Sequence, residues 1–157
     1  MLNSWETKFR NSKVKDWQPN AHHIVPEHFR KPNAKQEYKT LINKLDEIWG
    51  EGGFNINDGE INGVWLPRKM HIGNHSGETY YDQVFKRLKK ITDNQNISDA
   101  QKKALIKNDI KAMRTEILTG RGKNGKLKLN KNWNTSNNPE VEEYFTEMER
   151  SIKYYNN

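Results

Sequence analysis

The apolar residues of "NAKQEYKTLINKLDEIWG" (33–50) recur at helical spacing. Tyr38, Leu41, Ile42, Leu45 and Ile48 follow one another at intervals that put them on a single helix face. Asn33 is a candidate cap for a helix over 34–49, and Gly50 a candidate stop. The pattern returns in "GETYYDQVFKRLKKIT" (77–92), where Tyr81, Val84, Phe85, Leu88 and Ile91 are expected to face inward. A further helix is predicted in "ISDAQKKALIKNDIKAMRTEILTG", opened by a capping box of Ser98 and Gln101 and closed by Gly120. Pro139, at a favoured first helical position, opens the last one, "PEVEEYFTEMERSIKYY". Helices with one apolar face must bury those faces together, so a mostly helical chain is predicted.

Strand signals are short. "NAHHIVP" (20–26) reads as a strand ended by Pro26, and Val64, Trp65 and Leu66 as a second ended by Pro67. Between the first helix and the second strand, "EGGFNINDGEINGVWLP" is rich in Gly, Asn and Asp and should turn tightly. Residues 1–19 read as a polar arm anchored by Trp5 and Trp17, and 120–138 as a basic loop without periodicity. The expected architecture is therefore α+β, mostly helical, in one domain over 1–157. It has a core over 20–92 with the helix 34–49 inserted, and a C-terminal helical extension over 98–157.

Composition narrows the partners. Hydrophobic residues make up only 32% of the chain, but five Trp, six Tyr and five Phe permit a small aromatic core. The formal net charge is +7, with Lys and Arg spread along the chain, and such a surface attracts polyanions such as nucleic acid. The absence of cysteine excludes disulfides and thiolate metal sites. No apolar run approaches the ~20 residues needed to span a bilayer. "MLNSWETKFR" is no signal peptide, so membrane insertion is not expected and export would need another carrier or a larger chain.

The five histidines are concentrated in two places: three lie in "AHHIVPEHF" (21–29), and His71 and His75 sit four residues apart in "MHIGNHSGETYYDQ". On a helix or compact turn that spacing puts both rings on one side. A third imidazole would complete a three-ligand metal site with an open position, as catalysis requires. Either His22 or His23 could supply it. Neighbouring side chains on a strand point to opposite faces, so one ring can ligate while the other stays off the metal to act as a base on water.

"AHHIVP", "NGVWLP" and "HIGNH" followed by "YYDQVFKRL" together resemble the AHH family of nucleases, within the HNH (ββα-metal, or His-Me finger) superfamily that also includes the colicin DNases. Ala21, His22 and His23 match the family's signature. Asn62, Gly63, Leu66 and Pro67 match its middle element, and His71, Gly73 and His75 its closing pair, with Tyr81 at the start of the following helix. The resemblance covers roughly residues 20–90 and implies a small ββα-metal core with flanking helices.

It implies roles as well: His22, His71 and His75 as metal ligands, His23 as general base, and Asn62 as the residue that braces the loop between the strands. Taken alone, Asn62–Gly63 reads as an ordinary turn dipeptide. Arg68 and Lys69 lie close enough in sequence to contact a phosphate. Asn74 reads as a cap for the next helix, and His28, which matches nothing in the signature, as structural or surface. One divalent cation is implied. Imidazole ligands favour Zn²⁺, Ni²⁺ or Co²⁺, whereas resembling enzymes often use Mg²⁺ or Mn²⁺.

The implied activity is endonucleolytic hydrolysis of DNA with little sequence specificity, leaving 5′-phosphate and 3′-hydroxyl ends. By the same resemblance the chain would be a monomeric antibacterial toxin effector, delivered from a bacterium into a target cell's cytoplasm and countered by an acidic immunity protein. Two rivals remain at this level: a basic nucleic-acid-binding module with a structural metal, and an RNase.

Overall fold

Tyr38, Leu41, Ile42 and Leu45 form a buried stripe along one helix, and two later helices pack against that helix. The structure is a computed structural model that describes residues 19–67 and 78–119. In chain order it contains β1 (Pro19–His23), a 3₁₀ turn (Glu27–Arg30), α1 (Gln36–Trp49), α2 (Gly59–Asn62), β2 (Gly63–Pro67), α3 (Glu78–Thr92) and α4 (Asp99–Thr119). The architecture is α+β, mostly helical, with a two-stranded antiparallel sheet. The arm up to residue 18, residues 68–77, the basic segment 120–138 and the helix expected from Pro139 lie outside the described residues.

α1 starts later than the sequence suggests. Lys35, not Asn33, occupies its cap position and makes no side-chain cap bond. The Ala34 amide closes a turn on the Lys31 carbonyl at 3.0 Å, so the chain at Asn33 has not yet taken the helix direction. Gly50 ends α1 with φ 82°, a backbone angle that glycine adopts without penalty.

α3 and α4 pack on α1. On α3, Tyr80, Val84, Phe85 and Leu88 are buried, while Tyr81 and Ile91 are half-buried at the edge of the core. The deepest tyrosine is thus Tyr80 rather than Tyr81. α4 opens with the expected capping box: the Gln101 amide donates to Ser98 Oγ at 3.2 Å, and the Ser98 amide donates to Gln101 Oε1 at 2.8 Å. Its Ile106, Ile110, Met113 and Ile117 join the same core as α1 and α3.

β1 and β2 pair antiparallel, with Ala21 opposite Trp65, His22 opposite Val64 and His23 opposite Gly63. The strand ends at His23, short of the expected Pro26. Beyond it, the Ile24 amide donates to the Asn62 carbonyl at 2.9 Å. The turn-rich segment holds one element that the sequence reading missed, α2. Asp58 Oδ1 caps it by accepting from the Glu60 and Ile61 amides at 3.0 and 3.3 Å. At Gly63 a Cβ would lie 2.8 Å from the Gly59 backbone, so only glycine lets β2 leave α2 this closely.

The path from α1 to α2 is pinned from the side. Arg30 forms a two-pronged ion pair with Asp46, at 3.0 and 2.8 Å, and also donates to the Phe54 carbonyl at 2.5 Å. The Phe54 amide donates to Asp46 Oδ1 at 2.9 Å. Among the described residues no helix is long and apolar enough to cross a membrane.

Candidate functional site

The pleat of β1 gives its two histidines different surroundings. His22 is 4% exposed and lies against α3, where its Nε2 is 3.0 Å from the Tyr80 hydroxyl. The two rings meet edge to face at 5.6 Å. The Tyr80 hydroxyl is also 2.7 Å from the Ile24 carbonyl, which can only accept. The single phenolic proton therefore points at Ile24, and His22 must donate from Nε2 to the Tyr80 oxygen. Desolvation, and secondarily the neighbouring Tyr81, push the Tyr80 pKa up against a small opposing effect of Arg87, so the phenol keeps that proton. The bond places hydrogen on Nε2 of His22. A neutral imidazole held this way is the form that binds a divalent cation through its other nitrogen.

His23 is half-exposed, and its Nε2 lies 2.9 Å from Asn57 Oδ1. Both histidines line a cavity of about 320 Å³ together with His28, Lys31 and Tyr81. His28 stacks flat on Tyr81, with ring centres 5.1 Å apart and planes 6° from parallel. The sequence reading placed His28 outside the site, but the fold brings it to the same depression.

Asn62 is completely buried at the end of α2. Its Oδ1 accepts from the Val25 amide at 2.7 Å. Its Nδ2 donates to the Val25 carbonyl at 3.1 Å and to the Ile56 carbonyl at 2.9 Å. One amide side chain thus joins the exit of β1 to the segment that carries Asn57.

A second brace was not anticipated from the sequence. Arg114 of α4 is 1% exposed and donates to the Gly63 carbonyl at 3.1 Å and to the Glu60 and Ile61 carbonyls at 2.9 Å each. It holds the α2–β2 junction where Asn62 sits. Its place four residues after the buried Ile110 was the available signal, but a cation on an apolar face ordinarily reads as surface. Nearby, Arg87 of α3 bridges to Asp109 at 2.5 Å and to Glu116 at 2.6 Å. Desolvation opposes the charge on Arg87, yet these bonds outweigh it and its pKa is raised.

His71, His75, Arg68, Lys69 and Asn74 lie outside the described residues. Among the described residues there is no group of three metal-ligating side chains. His22 is buried and lines the cavity, and imidazole is a ligand type that suits a divalent transition metal.

Residues 5–117 match the model of AHH, a nuclease family of the HNH/ENDO VII superfamily with a conserved AHH. The matched run extends beyond the 20–90 of the sequence resemblance on both sides and takes in nearly all of α4. No curated protein and no solved structure matches the chain. Spanning most of its length, the match establishes that the chain belongs to the AHH nuclease family of the HNH/ENDO VII superfamily.

Proposed function

We propose that this protein is a metal-dependent endonuclease that hydrolyses DNA with little sequence preference, with His23 as its general base. The observation that carries the reading is the contrast between adjacent imidazoles: His22 is buried and tied to Tyr80, while His23 is half-exposed at the cavity. His23 takes a proton from the attacking water as the new oxygen–phosphorus bond forms and the bond to the 3′-oxygen breaks. The leaving 3′-oxygen takes a proton from solvent water and His23 returns its own to solvent, giving 5′-phosphate and 3′-hydroxyl products.

Nucleases of this superfamily are generally metal-dependent. A divalent cation held by His22, His71 and His75 would offset negative charge on the phosphate and the departing oxygen. Asn62 keeps the His23 backbone and the Asn57 segment in fixed relation, supported by its three bonds. Arg68 and Lys69 contact substrate phosphate, and the net charge of +7 supplies salt-sensitive, sequence-independent affinity. The chain acts as one domain over 1–157 and as a monomer. Its biological setting is that of an antibacterial effector delivered into a target cell and neutralised by an acidic immunity protein.

The deciding experiment incubates supercoiled plasmid, and separately RNA, with wild type, His23→Ala and His71→Ala in the presence of Mg²⁺, Mn²⁺, Zn²⁺ or Ni²⁺. Wild type nicks plasmid. His23→Ala retains metal and DNA binding but does not cleave, and His71→Ala loses metal affinity and cleavage together. A wild type inert on plasmid with every ion, or equal loss of metal by both variants, overturns the assignment.

A further inference from the structure

We infer that Asn57 is a positioning residue, fixing the His23 imidazole in the tautomer that carries hydrogen on Nε2 and presents the Nδ1 lone pair to the attacking water. The inference rests on the reading of His23 as the base. A neutral imidazole has one donor nitrogen and one acceptor nitrogen. Asn57 Oδ1 lies 2.9 Å from His23 Nε2, and an amide oxygen can only accept, so Nε2 is the donor. With the amide reversed, its N–H would occupy the Nε2 lone pair and the proton would move to Nδ1. Such a ring has no lone pair left for water.

The bond also matters because of how firmly Asn57 is placed. Its own amide donates to Asn55 Oδ1 at 3.0 Å. The carbonyl of the preceding Ile56 is held by Asn62 at 2.9 Å, and Phe54 is clamped by Arg30 and Asp46. On the other side, Asn62 holds Val25, and the ladder pairs His23 with Gly63. The separation between the His23 backbone and Asn57 is therefore fixed from both ends. What the sheet leaves free is rotation of the ring about its side-chain bonds, and the Asn57 contact removes that freedom.

The test compares wild type, Asn57→Ala, Asn57→Asp and His23→Ala on a short DNA duplex, with thermal melts to establish folding. Asn57→Ala is expected to lower kcat about tenfold or more while KM stays within about twofold. Asn57→Asp keeps an acceptor in place and restores kcat to within about threefold of wild type, which a donor role for Asn57 does not predict. Long-range proton–nitrogen correlation spectra of metal-free protein should show His23 protonated at Nε2 in wild type, and a mixture of tautomers in Asn57→Ala. An unchanged kcat in folded Asn57→Ala, or a wild-type His23 protonated at Nδ1, overturns the inference. If wild type fails to cut, the endonuclease reading itself is lost, and if His23→Ala cuts like wild type, the reading of His23 as the base is lost. The spectra then still judge the Asn57 pair.

Discussion

Tyr80 and His22 are joined by a bond whose direction is dictated by a third group. Because the Tyr80 hydroxyl donates to the Ile24 carbonyl at 2.7 Å, it can only accept from His22 at 3.0 Å. A residue on α3 therefore selects which nitrogen of a strand histidine carries hydrogen.

Tyr80→Phe removes one oxygen and both of these bonds without opening a cavity. It should lower stability by about 1–3 kcal/mol, the cost of leaving buried partners unmet. Chemical denaturation measures this directly. Metal affinity, read by titration calorimetry, should fall as well, because the ring of His22 loses its fixed tautomer. Unaltered stability and affinity together would show that the bond is incidental.

Asn62 allows a sharper contrast. Asn62→Ala deletes three buried bonds and should cost about 3 kcal/mol, with loss of cleavage. Asn62→Asp should be worse, although it is closer in shape. Its carboxylate would turn an acceptor toward the Val25 and Ile56 carbonyls, which accept already. Comparing the two denaturation midpoints tests the order; an aspartate variant as stable as wild type would refute it.

Arg114→Lys should not rescue Arg114→Ala. The guanidinium reaches three carbonyls through its planar fork, whereas an ammonium is a compact charge on a flexible stem. Both variants are expected to lose about 2–4 kcal/mol. Hydrogen exchange at the α2–β2 junction should rise in each, and a lysine variant with wild-type protection would exclude the fork geometry as the cause.

Acid should loosen the segment before Asn57. The hydrogen bond from Arg30 is the main reason the Asp46 carboxyl sits below the usual carboxylate range, helped by the Phe54 amide. A depressed folded-state pKa adds stability that is present above the ordinary carboxylate value and is lost as pH falls through the depressed one. The Phe54 amide should thus keep its exchange protection at neutral pH, begin to lose it as pH falls below the ordinary carboxylate value, and lose it fully only below the depressed one. Asp46→Asn should show weak protection at both.

Much of this fold was legible because periodicity reports burial. The stripe of α1, the α4 capping box and the short strand at His22 and His23 all follow from spacing and cap chemistry. Tyr80 and Tyr81 could not be separated, since adjacent aromatics straddle the edge of a helical stripe and packing decides which one goes in. α2 is only four residues long, too short for any periodicity, and only Asp58 marks its start. Arg114 and Asn57 were hidden for a different reason. Their partners lie far away in sequence, and a polar residue carries no sign of what it will meet.

Arg114 also limits how far this nuclease can be pared down. A minimal fragment built from the paired strands and α3 alone would leave the carbonyls of Glu60, Ile61 and Gly63 without the guanidinium that ties them together. Transplanting the histidine cluster into another scaffold meets the same obstacle. The distal helix is scaffolding for the α2–β2 turn and has to travel with it.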